Sequence, residues 1–234
     1  ELGRREDAIK VCDELLARFE KATELSLREQ VAKALANKSS ALGKLGRRED
    51  AIKVCDELLA CFGTATELPL REQVAKALVN KGIALGELGR REDAIKVCDE
   101  LLARFEKATE LSLREQVSKA ENSKGFSQLI IAKQRWANNA ERPIRLQHAV
   151  ECFKRALTNK VDDPIVTGNL AYALFLLGQH DEARTALQRA LVVGGDHLRK
   201  AELADTEICT IAEDESFRSL VAKVWRDLHP KGNE

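Results

Sequence analysis

Few side chains in this chain combine the type and spacing that chemistry requires. Gly43-Lys44 has the beginning of a phosphate-cradling loop, but such a loop follows its Lys with a Ser or Thr that holds Mg2+, and here Leu45 follows. The four histidines, His148, His180, His197 and His229, share no metal-ligand spacing. The six cysteines contain no C-x-x-C pair and no zinc pattern. Three of them, Cys12, Cys55 and Cys98, occupy one position of a recurring apolar face and read as small buried hydrophobes. Cys61 stands where the recurring text has Arg18 and Arg104 and reads as exposed, while Cys152 and Cys209 are isolated. No nucleophile–base pair, metal set or phosphate loop is spelled out. The chain therefore reads as non-enzymatic, without cofactor or metal. Unpaired cysteines in this number fit a reducing compartment, so the expected location is cytoplasmic.

The elements that position these residues repeat. The text beginning LGRREDAIKVCDELL starts at Leu2, Leu45 and Leu88, a step of 43 residues, and Glu1–Val31 is identical to Glu87–Val117. Self-similarity at such a period marks a solenoid of stacked units, because one unit cannot bury its own apolar face. Each unit reads as two helices. Arg47–Phe62 places Ala51, Ile52, Cys55, Leu58, Leu59 and Phe62 on one face, with Glu49 and Asp50 in the first turn, where the helix dipole favours acids. The other helix begins near Pro69 or its counterparts Ser26 and Ser112. Ser26–Glu29 and Ser112–Glu115 have capping-box spacing. Its inward set is Leu70, Val74, Ala77, Leu78, Leu85 and Leu88.

Composition narrows the class of partner. Lys+Arg and Asp+Glu both number 38, so the formal net charge is zero and neither nucleic acid nor an anionic membrane is expected. No apolar run approaches the roughly 20 residues of a transmembrane helix. The chain opens at Glu1-Leu2-Gly3, the middle of a unit. This reads as a fragment of a longer array whose first helix, about residues 4–20, has lost a neighbour. Its stripe of Ala8, Ile9, Cys12, Leu15, Leu16 and Phe19 is then a surface for self-association.

Three regions follow from the pattern. Residues 1–138 hold the 43-residue units, the first truncated, and end in a long helix of about 113–138 that carries Trp136. Residues 139–196 hold shorter helix pairs. Pro143 opens one helix, and Ile165–Leu177 and His180–Val193 form the next pair before Gly194-Gly195-Asp196. Residues 197–234 read as terminal helices, about 197–212 and 215–228, with a frayed tail from His229.

The text ALVNKGIALGELGRREDAIKVCDELL (77–102) resembles the tetratricopeptide repeat, in Asn80, Gly82, Leu85, Gly89, Ala94 with Ile95, and Leu101-Leu102. NLAYALFLLGQHDEARTALQRAL (169–191) resembles it closely, and Ala149-Val150…Phe153 recurs after 34 residues as Ala183-Arg184…Leu187. The 43-residue units are long variants. Their nine extra residues, near Ala65–Glu72, read as a lengthened helix adding about 13 Å at 1.5 Å per residue. The resemblance implies an all-α, right-handed solenoid of stacked antiparallel helix pairs with a C-terminal capping helix. It also implies a scaffold that receives a peptide or helix of another protein in a concave groove. A regulatory arm of a larger multidomain protein and a self-assembly module are the alternatives. Carried onto this chain, the groove positions are Lys33, Asn37, Ser40 and Lys44, then Lys76, Asn80, Ile83 and Glu87, then Lys119, Ser123, Phe126 and Ile130, and finally Asn169, Tyr172, Phe175 and Leu176. The lining thus turns from Lys, Asn and Ser to aromatic along the array. Lys33/Asn37 and Lys76/Asn80 each share a helix face, as in members of the family that clamp a terminal carboxylate. Here the clamp's Arg is missing and Ser123 replaces an Asn.

Overall fold

Gly46 and Gly89 have φ of 77° and 78°, left-handed values that a residue without Cβ adopts at no steric cost. Each ends a helix in a Schellman arrangement. Arg47 N donates to Leu42 O and Gly46 N to Gly43 O; Arg90 N and Gly89 N do the same toward Leu85 O and Gly86 O. The chain therefore reverses after three residues and consecutive helices pack antiparallel. The computed structural model describes residues 2–19, 21–138 and 140–230, and among them there are ten α-helices and no strand. Two compact units divide the chain, Glu1–Ser123 and Lys124–Glu234.

The first unit holds α1 (Leu2–Phe19), α2 (Leu25–Lys44), α3 (Arg48–Phe62), α4 (Leu68–Glu87), α5 (Arg91–Phe105) and the start of α6 (Leu111–Gln134). Each of the first four packs on the next, and α2 also packs on α4. Cys55, Leu58, Cys98 and Leu101 are 0–2 % exposed in the core. Full burial of a leucine side chain stabilises by about 1.5–3 kcal/mol. Two ion pairs recur with the repeat, Lys38–Asp13 and Lys81–Asp56, both at 2.5 Å. At the far end of the helices Arg28 lies over the Phe62 ring and reaches Glu67, and Arg71 does the same with Phe105 and Glu110. The capping box is not formed. α2 begins at Leu25 with Glu24 as N-cap, so Ser26 already lies inside the helix. Likewise α6 begins at Leu111, and the Ser112 hydroxyl donates to Glu72. α2 and α4 run for 20 residues, against 13 for α8 (Pro164–Leu176) of the second unit.

The second unit contains the end of α6, then α7 (Glu141–Asn159), α8, α9 (His180–Asp205) and α10 (Glu213–Leu228). Asp163 caps α8 by accepting from Ile165 N and Val166 N, with Pro164 in the first turn. Within α9 the backbone breaks at Gly195 (φ 60°, ψ −155°), which supports the helix end read at Gly194-Gly195. The segment beyond the break stops at Asp205, short of the expected 212. α6 ends at Gln134 rather than near 138, so Trp136 lies in the turn that follows. Of the expected frayed tail, residues 231–234 lie outside the described residues. No helix among the described residues is long and apolar enough to cross a membrane.

Glu202 on α9 is 1 % exposed, and its Oε2 has no hydrogen-bond partner. Its carboxyl lies against Gly168 of α8, where a Cβ would come within 2.0 Å of Oε1. Burial, reinforced by Asp205, pushes its pKa well above the carboxylate range. The folded state then holds a proton that the unfolded chain releases. This contribution is complete below the unfolded carboxylate pKa and is lost as pH rises toward the folded one. Melting curves from about pH 5 to about pH 8 should show the wild type losing stability relative to Glu202→Gln. A difference between the two proteins that does not change with pH would refute the assignment.

Candidate protein-binding surface

In the first unit α2 and α4 lie side by side and present one face. Lys33 and Asn37 on α2 and Lys76 on α4 are exposed, as is Lys119 on α6; Ser40 is half-buried. Ile83 is 44 % exposed, unusual for a residue flanked by core positions of its own helix. Ser39, Ser40, Gly43 and Lys44 of α2 and Asn80, Ile83, Ala84 and Glu87 of α4 line a cleft of about 170 Å3. The arrangement offers ammonium groups for carboxylates and one apolar anchor.

Asn80 is engaged elsewhere. Its amide donates to Ala36 O (3.3 Å) and Ser39 Oγ (2.9 Å), so it ties α4 to α2. Lys76 and Asn80 therefore do not form a carboxylate clamp. No spacing rule exposes this, because the acceptors lie more than 40 residues earlier.

The expected aromatic end of the groove is corrected. Ile130, Asn169 and Tyr172 are 0–4 % exposed and belong to the core of the second unit, and Phe126 and Phe175 are only partly exposed. At Tyr172 and Phe175 the cause is α10, which packs on α8 and α9. Phe217 of α10 stacks on Tyr172 with ring centroids 4.5 Å apart and lies 5.3 Å from Phe175. Beneath it sits a polar cluster that sequence reasoning missed. Lys133 Nζ is 2.6 Å from the Tyr172 hydroxyl and 3.2 Å from Asp214 Oδ2, both side chains of this ion pair being 0 % exposed. The Tyr172 hydroxyl donates to Asp214, and Ile211 N donates to its Oδ2. Burial lowers the Lys133 pKa against the pull of Asp214. Burial and the bond to Asp214 raise that of Tyr172. The cluster is closed to solvent and builds structure rather than a site.

The second unit also exposes an apolar patch. Val192 and Val193, 66 % and 62 % exposed, line a cleft of about 360 Å3 with Pro164, Thr167 and Gln188. Among the cysteines, Cys61 is exposed as expected and Cys55 and Cys98 are buried. Cys12 is only half-buried. Burial pushes the Cys55 thiol up to about 11, with the Ser39 hydroxyl acting in the opposite direction. No group of His, Cys, Asp and Glu among the described residues is arranged to hold a metal ion.

Residues 145–197 match the tetratricopeptide repeat family. No curated protein sequence matches the chain. Among solved structures, a thermophilic tetratricopeptide-repeat protein of Thermus thermophilus is similar at a TM-score of 0.57 and 17% identity, covering 86% of this chain and 93% of that one. BtubC of P. vanneervenii gives 0.56 at 12% identity, over 100% of this chain and 93% of that one. A MamA protein gives 0.51 at 13% identity, over 90% of this chain and 100% of that one. At these identities the likeness is one of fold. The chain carries a tetratricopeptide repeat at 145–197 and folds as tetratricopeptide-repeat proteins do.

Proposed function

We propose that the chain is a protein–protein interaction scaffold whose α2–α4 face receives a peptide or helical segment of another protein. The fold is of the kind that serves such scaffolds. The observation that carries the specific reading is Ile83, an exposed aliphatic side chain lining a cleft between two helices that also expose Lys33, Asn37 and Lys76 outside the cleft. A partner would seat an apolar side chain at Ile83 and place carboxylates toward Lys33 and Lys76. An apolar centre ringed by polar contacts is how binding energy concentrates at interfaces.

A photo-crosslinking residue at position 83 should capture one discrete protein in the source cells. The same residue at Lys53, exposed on α3, should not capture it. Lys33→Glu with Lys76→Glu should abolish the adduct. Equal capture at 53 and 83, or capture indifferent to the charge reversal, would rule this face out.

A further inference from the structure

Leu25, Leu68 and Leu111 are one position of the repeat, each the first residue of α2, α4 or α6. All three are exposed, by 43 %, 39 % and 70 %. Leu70 and Leu113, two places on, are fully buried, so the chain turns one leucine of each pair inward and the other out. Neighbouring helices do not cover the position. Leu68 lies between α2 and the start of α6, where Ser112 donates to Glu72, and it is nearly as exposed as Leu25. Equal contacts set equal steps along this end of the unit: Arg28 reaches Glu67 at 3.5 Å and Arg71 reaches Glu110 at 3.4 Å. Packed helices lie about 8–10 Å apart, so the leucines form a row with that spacing.

The row belongs to the added length of the long units. Counted back from the turn glycines, Gly89 and Gly178, α4 and α8 end alike, at Glu87 and Leu176. α4 has 20 residues and α8 has 13, so the extra turns of α4 lie at its start and carry Leu68.

A cleft of about 270 Å3 opens at the same end, between the α3–α4 loop and the end of α5. Ala65, Val74 and Phe105 supply apolar walls, and Arg71 and Arg104 supply charge; no carboxylate among the described residues lines it. Arg104 gives one donor to Gly63 O and another to Glu100, and Arg71 gives one to Glu110. A guanidinium carries five N–H donors, so both keep some for a further acceptor. The chain departs from its own repeat at this place. The loop reads Glu20-Lys21 and Glu106-Lys107 in the outer copies but Gly63-Thr64 in the middle one, and Cys61 stands where copy three has Arg104. The middle loop thus brings neither a long side chain to fill the cleft nor an acid to occupy its arginines.

We propose that this end of the first unit is a second docking surface, which takes an extended, acidic and apolar segment of a partner protein. Apolar side chains at every third position of the segment rest on Leu25, Leu68 and Leu111, and an acidic residue next to the central one enters the cleft of Arg71 and Arg104. Three residues of extended or polyproline chain span about 9–10 Å, which matches the row. A helix, about 10–12 Å across, does not fit the cleft. The surface is separate from the Ile83 face, since Ile83 lies roughly 22 Å further along α4 at 1.5 Å per residue.

A random-peptide display library selected against the full chain supplies the probe. The enriched peptides should carry apolar residues at a three-residue step with an acid beside the central one. The best of them, labelled and titrated by anisotropy, should bind Leu68→Lys ~10-fold more weakly and Ile83→Lys as well as the wild type. Leu68 is solvent-facing, so the variant should keep the wild-type circular dichroism; Leu25→Lys should act in the same direction. Arg104→Cys with Gly63→Glu introduces residues that other copies already carry at these positions, so the fold should be kept. That double variant should weaken the acidic peptide by ~10-fold and leave the weaker binding of its amide form unchanged. Enriched peptides with no such step or with helical spacing, or binding indifferent to Leu68→Lys, would overturn the site. Acidic and amide peptides that respond alike to the double variant would do the same. Light scattering of the chain alone should show no association that Leu68→Lys abolishes. Such association would make a second copy the occupant and would equally overturn the proposal.

Discussion

Replacing Asp214 by alanine should lower the melting temperature of the second unit by roughly 10 °C. Removing one member of a fully buried ion pair costs about 3–5 kcal/mol, because the remaining charge keeps its desolvation penalty and loses its partner. Here the orphaned charge would be Lys133, 0 % exposed beside the Tyr172 hydroxyl. Ile211 N would lose its acceptor as well. Lys133→Met should be costly for the converse reason. The double variant Lys133→Met/Asp214→Leu should be much less damaging than the sum of the singles, since neither charge then remains buried. Thermal melts of the three proteins check this. Additive losses would mean that the two groups are not coupled and that the cluster does not hold α6, α8 and α10 together.

Gly125→Ala should destabilise the chain by about 2 kcal/mol, although alanine is normally the better helix former by about 1 kcal/mol. A Cβ at position 125 would lie 2.7 Å from Cε1 of Phe153 and 3.1 Å from Cβ of Cys152. Phe153 is 0 % exposed and has no room to retreat. Gly43→Ala is the control. It is also helical, and nothing lies within 4 Å of its added carbon. That substitution should therefore stabilise by about 0.5–1 kcal/mol. Denaturant midpoints of opposite sign for the two variants are the expected result. A shared sign would show that helix propensity and not close packing governs position 125.

The helical organisation of the first unit was legible because the chain states it nearly three times. Ala51, Cys55, Leu58 and Phe62 share one face at a helical period, and the structure buries all four. The error at Ile130, Asn169 and Tyr172 has a different origin. Assigning a groove face presumes that a helix has an outside. From Val166 to Leu174, α8 is buried throughout and is apolar on nearly all sides. A helix of that kind is enclosed, and the composition of PIVTGNLAYALFL already carried this information. What encloses it could not be read locally, since Phe217 and Asp214 arrive from α10 some 40 residues later. Lys133 shows the same limit. A lysine beside Leu129, Ile130, Ile131 and Ala132 reads as the polar edge of an apolar run until its partner is known. Asn80 and Asn37 have the same type and register, and only the presence of α2 beneath Asn80 separates a structural amide from an available one.

The shared text of α1 and α5 also has a consequence for how the chain reaches its fold. α4 has two chemically equivalent partners in one molecule, and no side chain from Arg5 to Phe19 distinguishes one from the other. The choice rests on connectivity. α5 follows α4 after the turn Leu88–Arg90, whereas α1 ends before α2 begins. Closing the longer loop costs only roughly 2 kcal/mol more, because the penalty grows with the logarithm of length. Timing works against that preference. During synthesis from the N-terminus, α4 emerges when the competing partner is already present and the native one is not yet made. Fidelity of register in this molecule is thus a matter of order of arrival and tether length, not of recognition.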